Sequence, residues 1–244
     1  MPIKTSDLKI KIFADGADLE SIKKLNDISY IDGFTTNPTL MRKAGIMDYK
    51  KFAISVLEIV KNKPISFEVF SDELDEMEKQ AEEISSWGKN VYVKIPITNT
   101  KGEKTFNLVK KLSKSGIKCN ITAILTLDQV KEIYEIADTN IDMVISIFAG
   151  RIADTGIDPN QVMKDAINLC KPKRKIEILW ASTREVLNII QANKIGCHII
   201  TVPHQILNKL NGLGKNLEIL SLETVQGFLS DAKKANYKIE IDNK

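Results

Sequence analysis

Eight short β-rich runs, charged segments of helical periodicity between them, and a length of 244 residues without an internal linker predict an α/β fold. Strands that alternate with helices form parallel βαβ units, and one closed (β/α)8 TIM barrel usually needs about 250 residues. No Pro-, Gly- or Ser-rich stretch divides the chain, so residues 1–244 read as a single domain. The glycine spacing of dinucleotide-binding or P-loop folds is absent.

The expected strands cover 10–14, 33–36, 65–70, 91–97, 118–125, 143–149, 176–181 and 199–203. Their Val, Ile and Phe content is that of strands buried on both faces. Asp18 is the candidate N-cap after the first strand. Pro38 suits the first turn of a helix after the second. Leu74, Met77, Ala81 and Ile84 share one face of the segment 73–87. The helical segment 104–112 runs on to Lys114-Ser115-Gly116, where glycine supplies a stop. Residues 124–130 and the leucine-rich C-terminal segment read most simply as core, and an additional C-terminal helix is expected over 220–235.

Hydrophobic residues make up 43% and charged residues 27% of the chain, as in a soluble globular protein. A net charge of +3, evenly scattered, gives no nucleic-acid or membrane surface. Cys119, Cys170 and Cys197 are an odd, widely spaced set that fits a reducing compartment. Two histidines and no Cys-x-x-Cys give no metal-site pattern. Residues 1–11 carry charges where a signal peptide has its apolar core, and no apolar run reaches the roughly 18 residues of a membrane span. A cytoplasmic location is expected.

Barrels of this kind carry their chemistry on inward strand residues and on loops at the strands' C-terminal ends. Polar residues interrupt or follow seven strands there. Asp15 closes the first and Thr35-Thr36-Asn37 the second. Glu68 interrupts the third, Lys94 the fourth, and Asn120 and Thr122 the fifth. Ser146 and Arg151 occur in and after the sixth, and Ser182 and Arg184 follow the seventh.

Lys94 stands alone in Val91-Tyr92-Val93-Lys94-Ile95-Pro96-Ile97-Thr98. Apolar surroundings disfavour an ammonium, and an amine so biased is a nucleophile suited to a carbonyl carbon. The alternative is a strand-end lysine that snorkels to water. Near such an amine, Asp15 could be the general base of a C–C cleavage, or simply a turn carboxylate. Glu68 could keep the lysine charged, or position a water during carbinolamine dehydration and hydrolysis, and these roles coexist. Asn37 is either a turn residue or a ligand for a sugar hydroxyl. Arg151 and Arg184, the second close to Ser182, offer bidentate donors suited to a phosphate. Singly, each reads as a solvated cation. His204 has no evident partner and is left outside this set.

Several of these stretches together resemble the transaldolase family over most of the chain. They are Ile12-Phe13-Ala14-Asp15, Thr35-Thr36-Asn37-Pro38-Thr39, Val93-Lys94-Ile95-Pro96, Gly116-Ile117-Lys118-Cys119-Asn120-Ile121-Thr122, Gly150-Arg151-Ile152 and Ala181-Ser182-Thr183-Arg184. Ser221-Leu222-Glu223-Thr224-Val225 is similar to the final helix of short members. The resemblance implies a metal-free, cofactor-free Schiff-base enzyme acting on sugar phosphates. Lys94 would be the nucleophile and Asp15 the base, with Glu68 and Thr122 holding a catalytic water. Asn37, Asn120 and Ser146, with Thr36 and Phe148, would contact the dihydroxyacetone unit, and Arg151, Ser182 and Arg184 the phosphate. Glu68 and Phe148 match the transaldolase subgroup, which transfers the unit. Glutamine and tyrosine there would match fructose-6-phosphate aldolases, which release it. A sugar-phosphate-binding barrel without turnover is the alternative of another class.

Gly16, Ile147 and Thr183 depart from the family's usual threonine, proline and phenylalanine, which bears on rate and specificity. Short members often assemble into rings through the C-terminal helix, so a homo-oligomer is expected. The same apolar residues could equally pack on their own barrel.

Overall fold

The computed structural model describes residues 4–138 and 140–240. Residues 1–3, 139 and 241–244 of the expected 1–244 domain, the first of them part of the charged segment 1–11, lie outside the described residues. Eight parallel strands close in sequence order: β1 (Lys11–Asp15), β2 (Ile31–Thr35), β3 (Ile65–Glu68), β4 (Val91–Pro96), β5 (Cys119–Ile124), β6 (Met143–Ile147), β7 (Ile176–Trp180) and β8 (Ile199–Pro203). β8 pairs back onto β1, with Asp15 opposite Pro203. The expected single (β/α)8 barrel is therefore the observed fold.

Around it run α1 (Leu19–Asn26), α2 (Pro38–Lys43), α3 (Tyr49–Ile59), α4 (Leu74–Ser86), α5 (Phe106–Lys114), α6 (Leu127–Ile136), α7 (Ala149–Asp154), α8 (Asn160–Cys170), α9 (Val186–Lys194), α10 (His204–Leu207) and α11 (Leu217–Lys234). Local chemistry sets several boundaries. Asp18 caps α1 by accepting the Ser21 N–H. Asn37 caps α2, with Pro38 in its first turn. Gly116, at φ +79°, stops α5 in a left-handed conformation that costs glycine little. β2 begins two residues before the expected 33, because Asp32 stays in the strand and accepts the Ile12 N–H at 2.9 Å. β6 stops at Ile147 because α7 begins at Ala149.

Strand periodicity divides the apolar residues into two layers. Val93, Ile95, Ile121, Ile145 and Ile178 face outward and bury against helix residues such as Val56, Met77, Leu112 and Ile133. A smaller inner cluster of Phe13, Val144, Leu179, Ala181 and Ile199, with Tyr92 packed on it, fills the barrel interior. On β4, Tyr92 and Lys94 are therefore the inward pair. Above this plug the barrel is open at the strands' C-terminal ends, where the site lies.

One expectation is corrected. The C-terminal segment is not core: α11 contains no buried residue, and Leu217, Val225 and Phe228 are 78%, 59% and 69% exposed. Helical periodicity marks an apolar helix but does not say what covers it. Ile124 and Val130 are buried as expected, although Leu125 between them is exposed. Among the described residues no helix is long and apolar enough to cross a membrane. The three cysteines are free and buried.

Candidate active site

A cavity of about 540 Å³ opens at the C-terminal ends of the strands. Lys94 reaches it from β4, and its side chain is only 10% exposed. The register sets Glu68 of β3 directly beside Lys94. Their side chains form an ion pair, Nζ to Oε2 at 3.1 Å, and the amine also donates to the Thr36 carbonyl at 3.2 Å. A buried ammonium needs such partners, since water does not supply them. The ion-pair reading of Glu68 is therefore realised in this geometry.

Asp15 enters from the end of β1. Thr35 Oγ1 donates to its Oδ1 at 2.8 Å and makes a second, short hydrogen bond with Thr201 Oγ1. Burial holds the Asp15 carboxyl above the usual carboxylate range, and Glu68 pushes the same way. Lys94 and the Thr35 hydroxyl pull downward without cancelling burial.

Across the cavity, Ser146 donates to Asn120 Oδ1 at 2.6 Å, and Asn120 Nδ2 donates to Ser66 Oγ at 3.0 Å. Thr122 Oγ1 is buried with no hydrogen-bond partner among the described residues. A buried hydroxyl without a partner is unfavourable unless a ligand or water completes it.

The far wall is basic. Arg151 lies 5.4 Å from the Phe148 ring centroid. Arg184 is held in a two-point pair with Asp154, Nε to Oδ1 at 3.2 Å and Nη2 to Oδ2 at 2.5 Å. Ser182 adopts a left-handed φ of 65°. Its carbonyl oxygen comes so close to Gly150 that a Cβ there would sit 1.7 Å away, so only glycine allows α7 and the β7 loop to meet.

Asp15, Asn37, Glu68, Lys94, Thr122, Ser146, Phe148, Arg151, Ser182 and Arg184 all border the cavity. Thr36 and Asn120 do not. Thr36 is fully buried, with its hydroxyl on the Ser66 carbonyl, and Asn120 is engaged by Ser66 and Ser146. Thr35, which the sequence marked only as part of the Thr35-Thr36-Asn37 run, and Thr201, which it did not mark, also border the cavity. Thr201 carries the same signal as Lys94, a lone polar residue in an apolar strand. The His204 ring lies against Gly16, where a Cβ would come within 2.5 Å of it, so a side chain there requires that ring to shift.

Among the described residues no three His, Cys, Asp or Glu side chains are grouped to hold a metal. The arrangement instead sets an enclosed amine against the Glu68 carboxylate, with the Asp15 carboxyl and two guanidinium groups bordering the same cavity. Chemically, such a set offers a nucleophile for a carbonyl carbon, carboxyl groups that can exchange protons and cations for an anionic group.

Comparison with known proteins adds the following. The family model described as Transaldolase/Fructose-6-phosphate aldolase matches residues 12–243. A "Probable transaldolase" of Thermoanaerobacter sp. (strain X514) is 34% identical over 231 residues, covering 94% of this chain and 100% of the relative. One from Nitrosopumilus maritimus (strain SCM1) is 35% identical, covering 92% and 96%. Among solved structures, a "putative phosphonomutase" from Burkholderia cenocepacia J2315 superposes with a TM-score of 0.53 at 9% identity, over 91% of this chain and 94% of that one. The last is a likeness of fold alone.

Proposed function

Because this chain belongs to the transaldolase/fructose-6-phosphate aldolase family, we propose that it is a transaldolase of the pentose phosphate pathway, moving a dihydroxyacetone unit between sugar phosphates through a Schiff base on Lys94. The observation that carries this reading is the enclosed Lys94–Glu68 pair at 3.1 Å, sharing its cavity with Asp15. A pocket that only bound sugar would gain nothing from burying an amine.

In this mechanism the neutral Lys94 amine adds to C2 of a ketose phosphate such as fructose 6-phosphate or sedoheptulose 7-phosphate. Glu68 takes and returns protons through a water held at Thr122 as the carbinolamine loses its hydroxyl and becomes an iminium. Asp15 removes the C4 hydroxyl proton, the C3–C4 bond breaks, and its electron pair flows into the iminium. An aldose phosphate departs, leaving an enamine on Lys94. An incoming aldehyde, erythrose 4-phosphate or glyceraldehyde 3-phosphate, accepts the enamine carbon and is reprotonated by Asp15. Hydrolysis of the new iminium frees the product. Arg151, Ser182 and Arg184 hold the phosphate, and Asn37 and Ser146 the hydroxyls of the transferred unit. Phe148 supplies no proton to discharge the enamine, which favours transfer over release.

The test is glyceraldehyde 3-phosphate formation from fructose 6-phosphate, with and without erythrose 4-phosphate. Product that depends on the acceptor is expected. Sustained product without it would make the protein an aldolase.

For assembly, the same reading takes α11 as a contact between copies, in a cytoplasmic homo-oligomer. Contiguous exposed apolar patches mark interaction surfaces. The chain mass is 27.4 kDa. Sedimentation velocity is expected to give a multiple of it, and Phe228→Asp to lower that multiple. A monomer in both cases would remove the contact.

A further inference from the structure

Glu68 is one of the two carboxylates at the amine, and what aims it is not a strand neighbour. In a parallel sheet the N–H and C=O of one residue point to the same side, and every second residue points to the same neighbour. β3 pairs with β4 through to Glu68–Lys94, but with β2 only at Phe34–Ile65 and Thr35–Ser66. The Ser66 carbonyl still accepts the Thr36 N–H at 3.2 Å. Two residues on, Glu68 turns its amide and carbonyl to the same side, but β2 has ended because Asn37 and Pro38 open α2. Buried backbone groups left there would be unsatisfied.

Tyr49, the first residue of α3, fills the gap. Its hydroxyl accepts the Glu68 N–H at 2.7 Å and donates to the Glu68 carbonyl at 3.0 Å. One oxygen thus does the work of a missing strand, and does it at the residue that pairs with Lys94.

The phenol is itself fixed. Its ring meets Phe67 edge-on at 6.1 Å, Trp87 edge-on at 5.5 Å and Phe70 at 4.4 Å, while Phe67 and Trp87 meet at 5.8 Å. Asp48 caps α3 by accepting the Lys51 N–H at 2.9 Å, which sets the helix start. Burial pushes the Tyr49 hydroxyl far above its ordinary range, so it remains a donor at any working pH.

We propose that Tyr49 is the positioning residue for Glu68: its hydroxyl, clamped on both backbone groups of Glu68, sets the distance and angle of the carboxylate to Lys94. Tyr49 does not border the cavity. It acts only through Glu68, so this inference rests on the proton-shuttle role of Glu68 proposed above.

The test is a cycle of Tyr49→Phe, Glu68→Gln and the double variant. Phenylalanine keeps the ring packing and removes only the bridging oxygen. With fructose 6-phosphate and erythrose 4-phosphate, Y49F is expected to lower kcat on the order of tenfold while KM changes less than about twofold. The double variant is expected to be no slower than E68Q, because the clamp has nothing left to aim. Factors that multiply in the double variant would overturn the proposal, as would Y49F with unchanged kcat. If E68Q itself turned over at full rate, the shuttle reading would fail first and the clamp with it. Should Y49F not fold, Tyr49→3,5-difluorotyrosine keeps ring and hydroxyl but makes the oxygen a poorer acceptor for the Glu68 N–H. It is then expected to lower kcat with KM held, and an unchanged kcat would overturn the proposal.

Discussion

Replacing Lys94 with methionine is expected to abolish turnover, with at least about a thousandfold loss of kcat. Methionine keeps an unbranched chain of similar volume between Val93 and Ile95 but has no amine to form the adduct. Borohydride added with fructose 6-phosphate should fix a three-carbon adduct on the wild-type chain, located by mass at the peptide containing Lys94, and none on Lys94→Met. Thermal unfolding of the variant should stay cooperative, since the apolar layers outside and below the site do not involve this side chain. Undiminished turnover, or trapping at another lysine, would remove the Schiff-base assignment.

Asp15→Asn is expected to separate activity from stability. The amide keeps an oxygen for the Thr35 hydroxyl but cannot take a proton, so kcat should fall by about 10²–10⁴-fold. Imine formation on Lys94 should survive and still be trapped by borohydride. Burial raises the Asp15 carboxyl above its ordinary range. The base form is therefore lost on acidification at a higher pH than for a free aspartate, near 4. In the wild type the acid limb of kcat/KM should lie above that value, and in Asp15→Asn the residual rate should lose that limb.

The same direction carries a sign for stability. A carboxyl whose folded pKa is raised binds its proton more tightly when folded. The stability linked to it is present below the unfolded pKa and is lost as pH rises through the folded one. Neutral pH lies above the unfolded pKa, so there the Asp15 carboxyl burdens the fold. Asp15→Asn should melt higher than wild type there, with the difference vanishing in acid. A variant both inactive and less stable at neutral pH would contradict this account of the site.

The barrel was legible in the alternation of strands and helices and in the chain length, and Lys94, Asp15 and Glu68 in a different signal. A lone ionisable residue in an apolar strand is conspicuous, since burial without a partner is too unfavourable to persist by accident. The two arginines gained meaning only from following successive strands. Thr35 and Thr36 were not separable in this way. A one-residue change of register exchanges the inward and outward faces of a strand, and adjacent threonines carry no mark of which face is which. Asn120 shows a related limit: a polar residue at the right height can spend its amide on Ser66 and Ser146 and stay behind the cavity wall.

By itself, then, the sequence determined the closed α/β barrel and the cluster of polar residues at one end of it, because strand periodicity and the cost of buried charge are local properties. Only the tertiary structure decided which threonine meets Asp15, that a tyrosine from α3 replaces the missing strand beside Glu68, and that α11 leaves its apolar residues uncovered. Those outcomes depend on which distant groups the closed barrel brings together, and a pattern along one strand or helix does not encode its neighbours.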